Sequence, residues 1–249
     1  MNTVAIVQAR MGSTRLPGKI MTELCKKPML WHIVKRVRQS ESVNEVVIAT
    51  SREPADDAVE ELAEKNHIVL WRGSQNHVLK RFYECASYYK ADIVVRLTGD
   101  NALVDAGIID SGIAYFKESQ RDYIYYREGL PLGMAIEIFT YDALKCAYEN
   151  ASDAQCIEHV TPYLYKNPQL FQAERVPCVG KDYSYLRWTM DTERDKELIS
   201  EIYKNLYQEG KYFSFEDILK EYEKHPQWKF LNTDIEQKKV TYQGEEAEN

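Results

Sequence analysis

Residues 9–19, Ala9-Arg10-Met11-Gly12-Ser13-Thr14-Arg15-Leu16-Pro17-Gly18-Lys19, hold three cations, two glycines and two hydroxyls. Glycine lets backbone approach an anion, and guanidinium, ammonium and hydroxyl donors suit phosphate oxygens, so this composition points to a polyphosphate. It is not a P-loop: five residues separate Gly12 from Gly18, and Ile20 rather than Ser or Thr follows Lys19. The dinucleotide fingerprint G-x-G-x-x-G is absent as well. Two aspartates form the second chemical feature. Asp100 follows the strand-like segment 94–98 and Asp191 follows 186–190. Magnesium prefers one or two carboxylates plus phosphate oxygens, so two such carboxylates facing a triphosphate have a physical reason to be there. An aspartate after a strand also serves as a helix N-cap, a role open to Asp191-Thr192. Asp105 and Asp110 read as helix-start and helix-face residues.

These groups need elements to hold them. The opening residues 4–7 are apolar on consecutive positions, with Gln8 and Ala9 following, as expected of a strand covered on both faces. Strands at 45–50, 68–71 and 93–98 follow, separated by helix-period segments that start at Pro28 and Pro54 and run over 78–89 and 108–116. Strands alternating with helices predict a parallel sheet, and ligands of such sheets bind beyond the carboxyl ends of the strands, where residues 9–19 and Asp100 fall. Past residue 120 the alternation loosens. Strands are expected at 123–126, 135–139, 172–176 and 185–190, with helices at 143–149, 157–165 and 196–207. One domain over 1–234 is expected, its nucleotide-binding half ending near 120 and its second half, 121–234, serving acceptor binding and dimerisation. The polar segment 235–249 lacks periodicity and is expected to be mobile.

Composition excludes several classes. The 249 residues carry 32 Lys and Arg against 39 Asp and Glu, a formal charge of −7, which leaves no cation excess for a general nucleic-acid binder. No apolar run exceeds four residues, so neither membrane insertion nor a signal-peptide core is expected. The five cysteines, Cys25, Cys85, Cys146, Cys156 and Cys178, form no C-x-x-C pair and read as small packing residues of a chain at home in a reducing cytoplasm. Glu137 sits in the otherwise apolar run 135–139 and needs a partner there. His159 can hydrogen-bond a ligand or simply pack. The 18 tyrosines suit packing or a subunit interface.

The run 7–19 resembles the opening motif of the cytidylyltransferases related to CMP-KDO synthetase, and within them the spore-coat polysaccharide biosynthesis protein F group. The likeness continues through Arg72-Gly73-Ser74 with Arg81, Arg96-Leu97-Thr98-Gly99-Asp100, Gly133 with Glu137, Glu158-His159-Val160-Thr161-Pro162, and Leu186-Arg187-Trp188-Thr189-Met190-Asp191. Asn76-His77-Val78 and Asn101-Ala102 depart from the family's usual pattern. The resemblance implies the nucleotide-diphospho-sugar transferase (GT-A-like) fold, an α/β/α sandwich with a mostly parallel central sheet. It implies transfer of CMP from CTP to an acidic sugar or other anionic acceptor, with release of pyrophosphate, in surface or spore-coat polysaccharide assembly.

The matching positions imply nucleotide contacts from Ala9, Arg10, Gly12, Ser13, Arg15, Lys19, Arg72, Gly73, Ser74 and Arg81, with Arg10, Arg15, Lys19 and Asp100 catalytic. They place Asp100 and Asp191 on Mg²⁺, and Glu137 and His159 on the acceptor. CTP and a small anionic acceptor are the expected ligands and a homodimer the expected assembly. Two alternatives stay open: the same fold using another nucleotide or a sugar phosphate, and a catalytically silent nucleotide-binding protein. Arg15→Ala is expected to weaken CTP binding by roughly 1.5 to 3 kcal/mol, the range for a hydrogen bond to a charged partner. Calorimetry on the folded variant checks this, and an unchanged affinity refutes the phosphate assignment.

Overall fold

The computed structural model describes residues 1–13, 15–177 and 180–236. Thr14, Cys178 and residues 237–249 of the segment expected to be mobile lie outside the described residues. The chain opens with β1 (Thr3–Gln8), a short antiparallel pair β2 (Glu23–Leu24) and β3 (Lys27–Pro28), then α1 (Met29–Val37), β4 (Glu45–Ser51), α2 (Asp57–Lys65) and β5 (Val69–Gly73). It continues with α3 (Val78–Tyr88), β6 (Ile93–Thr98), α4 (Ala106–Ser119), β7 (Tyr123–Glu128), β8 (Ile136–Thr140) and α5 (Tyr141–Asn150). The short helices α6 (Ala154–His159) and α7 (Pro162–Lys166), β9 (Ala173–Pro177), α8 (Glu193–Leu206) and α9 (Phe215–Lys224) complete it.

Among the described residues the main sheet has seven strands in the order β5-β4-β1-β6-β8-β7-β9. The first four are mutually parallel; β8 runs antiparallel to both β6 and β7, and β9 returns parallel to β7. Successive residues of a strand point to opposite faces. Ala5 and Val7 accordingly enter one core, with Leu30, Ile33, Val59, Ile109, Ile199 and Ile218 from the helices of that layer. Val4 and Ile6 enter the other, with Leu79, Phe82, Leu144 and Leu164. The consecutive apolar run at the chain start is thus the mark of a strand buried on both sides. The result is an α/β/α sandwich, as expected from the sequence.

Three local expectations are corrected. The run 185–190 is not a strand of the sheet: it makes one isolated bridge, Leu132 to Arg187, and its alternation serves packing. Trp188 is fully buried against Phe215 and Tyr222 of α9, a helix the periodicity did not reveal. The cue for α9 lay in its capping box, in which the Ser214 side chain accepts from the Asp217 amide and the Asp217 carboxylate accepts from the Ser214 amide. The helix expected over 157–165 breaks into α6 and α7 at Val160, whose φ of 72° lies in the left-handed region that a β-branched side chain avoids. Pro162 opens α7 as its first residue, where its missing amide costs no hydrogen bond. Pro28 does not open α1 from inside but precedes it as the N-cap residue while pairing with Glu23. Asp105 caps α4 by accepting from the Ile108 amide at 3.0 Å, as its position after a strand suggested.

His32 of α1 shows what burial does to a titratable group. Its ring packs against Trp31, Tyr203 and Tyr207, and Nε2 lies 2.8 Å from the Leu24 carbonyl. Burial, assisted by Arg36 and Lys27 and opposed by the Leu24 bond, moves its pKa from 6.5 to about 4. The unfolded chain takes up this proton near pH 6.5 and the folded chain only near pH 4, so stability is full above the window and falls as pH drops through it. At 1.36 kcal/mol per pH unit, the expected loss is about 2 to 3 kcal/mol between pH 7 and pH 4.5. Urea unfolding of the wild type and His32→Gln at the two pH values isolates this contribution. A pH-independent difference between them contradicts it.

Candidate active site

The loop after β1 is shaped before any ligand arrives. Asp56, in the turn that precedes α2, accepts from the Met11 amide at 2.7 Å and from the amide and hydroxyl of Ser51 at the end of β4. Burial works against its charge, but these donors win and hold its pKa below the usual carboxylate value. Within the loop the Ser13 amide donates to Met11 O at 2.8 Å, and the Leu16 amide to the Ser13 hydroxyl at 3.3 Å. Gly18, at φ 67°, turns the chain into the 3-10 helix that carries Lys19. Ala9 is buried, whereas a Cβ added to Gly12 would meet nothing within 4 Å.

Lys19 is where the two halves of the chain meet. Its Nζ donates to Asp100 Oδ2 at 2.9 Å and to Asp191 Oδ1 at 2.8 Å, bringing together carboxylates 91 residues apart. Arg15 lies 3.0 Å from Asp191 Oδ2 and Arg187 lies 3.5 Å from the same oxygen. Thr98 donates its hydroxyl to Asp100 Oδ1 at 2.5 Å. Burial alone would depress the Lys19 pKa, yet attraction to Asp100 and then Asp191 outweighs it and the net shift is upward. For Asp100, burial pushes up while Lys19 and then Thr98 pull harder, and the carboxyl stays below its usual value. Lys19 therefore remains cationic and Asp100 anionic at neutral pH.

Asp191 is delivered by a tethered loop. The Leu132 amide donates to Leu186 O at 2.9 Å, the Trp188 amide to Leu132 O at 2.7 Å, and the Met190 amide to Asp100 O at 3.0 Å. This contact requires Gly133: its φ is 99°, and a Cβ there would come within 2.6 Å of the Thr189 amide nitrogen. Behind Asp191, the Arg187 guanidinium grips Asp195 through two bonds of 2.8 and 2.9 Å. Asp195 also accepts from the amides of Asp191 and Thr192 and from Asn232. The helix cap belongs to Thr192, in a capping box with Asp195, so Asp191 stays free of that duty.

The remaining expected residues fall into two groups. Arg10 is half-buried and only loosely paired, 3.9 Å from Glu158. Arg72 turns towards α2, bonding Asp57 at 2.8 Å, Glu60 at 2.6 Å and the carbonyls of Ser51 and Glu53. Arg81 is fully buried, donates to Ser74 O at 2.8 Å, and keeps Nε and an NH2 group without partners. Burial first, then repulsion from Arg10, lowers its pKa to about 10. Gly73 leaves Arg81 its room, since a Cβ there would stand 2.8 Å from Arg81 Cγ. Ser74 in turn accepts from the His77 amide, and His77 caps α3.

Glu137 finds the partners its apolar strand demanded: Arg96 across the β6 to β8 register, Tyr123 at 2.8 Å and Thr161 at 2.6 Å. Burial and then Glu137 itself raise the Tyr123 pKa well above 10, so the phenol stays a donor. His159, half-buried, is held below its usual pKa chiefly by burial and faces the same space. That space is a cavity of about 570 Å³. A smaller one of about 210 Å³ beside Arg15, Asp100 and Asp191 shares Arg96, Thr98, Tyr125 and Glu137 with it, so the two form one trough. Arg96, Asp56 and Asp195 carried no assignment from sequence. Their signals, a cation in a buried strand and acids at helix starts, acquire meaning only once their partners are known.

A cation-bearing loop at the carboxyl end of a parallel sheet, facing two carboxylates and a trough, fits an α/β nucleotidyltransferase. The chain belongs to the cytidylyltransferase family, whose model matches residues 4–247. It is 36% identical to the spore coat polysaccharide biosynthesis protein SpsF of Bacillus subtilis, over 80% of this chain and 85% of that one. A cytidylyltransferase structure from Leptospira borgpetersenii superposes with a TM-score of 0.87 at 33% identity, covering 95% of this chain and all of that one. A CMP:2-keto-3-deoxy-manno-octonic acid synthetase complexed with CTP shares the fold, with a TM-score of 0.65 at 17% identity over 83% of this chain and all of that one.

Removing one member of the Arg187 to Asp195 pair strands a buried charge. Asp195→Ala is expected to destabilise the protein by about 3 to 5 kcal/mol, and Asp195→Asn by less, because the amide keeps one of the two acceptor oxygens. Denaturant unfolding measures both, and an alanine variant within 1 kcal/mol of wild type refutes the role.

Proposed function

We propose that the enzyme transfers CMP from CTP to an anionic acceptor, an acidic sugar, with Mg²⁺, in the cytoplasm and for surface-polysaccharide assembly. The observation that carries this reading is the convergence of Asp100 and Asp191 on a single cationic point, Lys19 Nζ, beside Arg15. Hard carboxylate oxygens converging on positive charge fit magnesium, which completes its shell with phosphate oxygens and water. When bound, it supplies positive charge to the triphosphate. The name of the Bacillus relative supports the pathway, and the CTP complex of the distant structural neighbour supports the nucleotide.

In this reading Arg10, Ser13, Arg15 and Lys19 bind the triphosphate, with Lys19 released from its carboxylate pair to do so. The acceptor oxygen forms a bond to the α-phosphorus as the bond to pyrophosphate breaks, and the acceptor hydroxyl gives up its proton to solvent. Arg15 and Lys19 offset the charge that develops on pyrophosphate. The acceptor lies in the trough, oriented by neutral His159 and by Arg96 and Glu137. A homodimer through apolar and tyrosine-bearing surface of the second half, where Tyr185 is exposed, completes the reading.

Asp100→Asn is expected to lose most turnover while still binding CTP measurably, because metal charge matters more in the transition state than in the ground state. Pyrophosphate release with CTP, UTP, ATP or GTP, acidic and phosphorylated sugars, and with or without chelator, tests the whole reading. Full activity in chelator, wild-type activity of Asp100→Asn, or preference for another nucleotide overturns its respective part. Unchanged turnover and acceptor preference in both His159→Ala and Glu137→Gln would move the acceptor elsewhere. Light scattering showing a single 29.1 kDa species would remove the dimer.

A further inference from the structure

A cavity of about 340 Å³ lies between α1 and the segment that follows α8, and shares no lining residue with the active-site trough. Its size falls within the range of small-molecule sites. Trp31, Tyr207 and Tyr212 are among its walls, and Lys35, Arg36 and Lys211 set three positive charges against the single carboxylate of Glu209. His32, also in the wall, adds no charge at neutral pH because burial keeps it unprotonated.

Arg36 is the unusual member. It is 5% exposed, yet among the described residues it makes no ion pair, and one of its NH2 groups has no hydrogen-bond partner. Its Nε donates to Val104 O at 2.7 Å, and its guanidinium carbon lies 4.2 Å from the centre of the Phe213 ring and 4.9 Å from that of Tyr212. Ring faces offset part of the charge, but a buried cation without a carboxylate carries an unmet electrostatic demand. Beside it, Lys27 and Lys35 stand over the Trp31 ring at 5.4 and 5.6 Å, so cations and a half-buried aromatic face occupy one mouth.

We propose that this cavity binds a small aromatic anion: a flat ring lying against Trp31 and Tyr207, carrying a carboxylate or phosphate that meets Arg36, Lys35 and Lys211. The anion supplies the countercharge that the protein leaves out, and the ring distinguishes the ligand from a simple ion. The site is coupled to the active site through the backbone after Asp100. Tyr203 donates to Ala102 O at 2.7 Å, Arg36 holds Val104 O, and Tyr212 donates to Asp105 at 2.7 Å. The residues that build the cavity therefore also brace the backbone that follows Asp100. The proposal stands whether or not the reading of the reaction does.

The test is calorimetric titration of the full-length protein with indole-3-acetate and phenyl phosphate, with acetate and inorganic phosphate as ring-free counterparts. At least one aromatic probe is expected to bind one to one and at least tenfold more tightly than its ring-free counterpart. That binding should weaken at least tenfold in Lys35→Glu/Lys211→Glu and in Trp31→Ala, and stay unchanged in Arg15→Ala. Both lysines are exposed, so the double variant is expected to fold, and circular dichroism checks it. The two aromatic probes separate carboxylate from phosphate recognition. Absence of aromatic binding, equal binding of the ring-free anion, binding that survives both cavity variants, or binding lost in Arg15→Ala overturns the proposal.

Discussion

The contact of Lys19 with Asp100 and Asp191 is the constraint on which the site depends. One ammonium, two carboxylates and the neighbouring Arg15 and Arg187 make a cluster of opposite charges in contact. In the partly buried floor of the trough these attractions exceed the penalty of leaving water, as the opposite pKa shifts of Lys19 and Asp100 record. Such a cluster is stable as it stands, and under the proposed function an incoming polyphosphate and cation would take over its charges.

Around the cluster the fold supplies rigidity from three directions. Strands β1 and β6 pair in parallel register, which sets Lys19's loop beside Asp100. Asp56 fastens that loop from the side of β4, and the bidentate Arg187 to Asp195 bond fastens the segment bearing Asp191 from the side of α8. Each fastening uses an ion or a charge-assisted hydrogen bond where apolar packing alone would leave a loop free to slide. The two cores on either face of the sheet hold the strands themselves.

The antiparallel strand β8 inserted beside β6 has a second consequence. It brings Glu137 opposite Arg96 and leaves a trough between the sheet and α6 and α7, which meet at Val160. The left-handed backbone there costs on the order of 1 to 3 kcal/mol in a β-branched residue, a strain tolerated where the surrounding contacts fix it. Here those contacts include the Thr161 hydroxyl on Glu137, so the strained residue positions a wall of the trough.

Much of this protein was legible without coordinates. The first strand, the loop cations Arg10, Arg15 and Lys19, the parallel half of the sheet and the Asp105 cap follow from local pattern, because consecutive apolar residues, turn glycines and capping aspartates act within a few positions of themselves. Long-range pairing was not legible. Sequence could mark Glu137 as needing a partner but not name Arg96, since strand register is set by the whole sheet. It placed Arg72 with the nucleotide residues, while the folded chain turns that guanidinium to Asp57 and Glu60. The run 185–190 has a strand's alternation, yet tertiary packing of Trp188 against α9 uses that alternation for burial instead. Asp100 and Asp191 could be named as candidates from their positions after strand-like segments; that they converge on one ammonium was decided only by the fold, because electrostatic contact depends on distance in space and not along the chain.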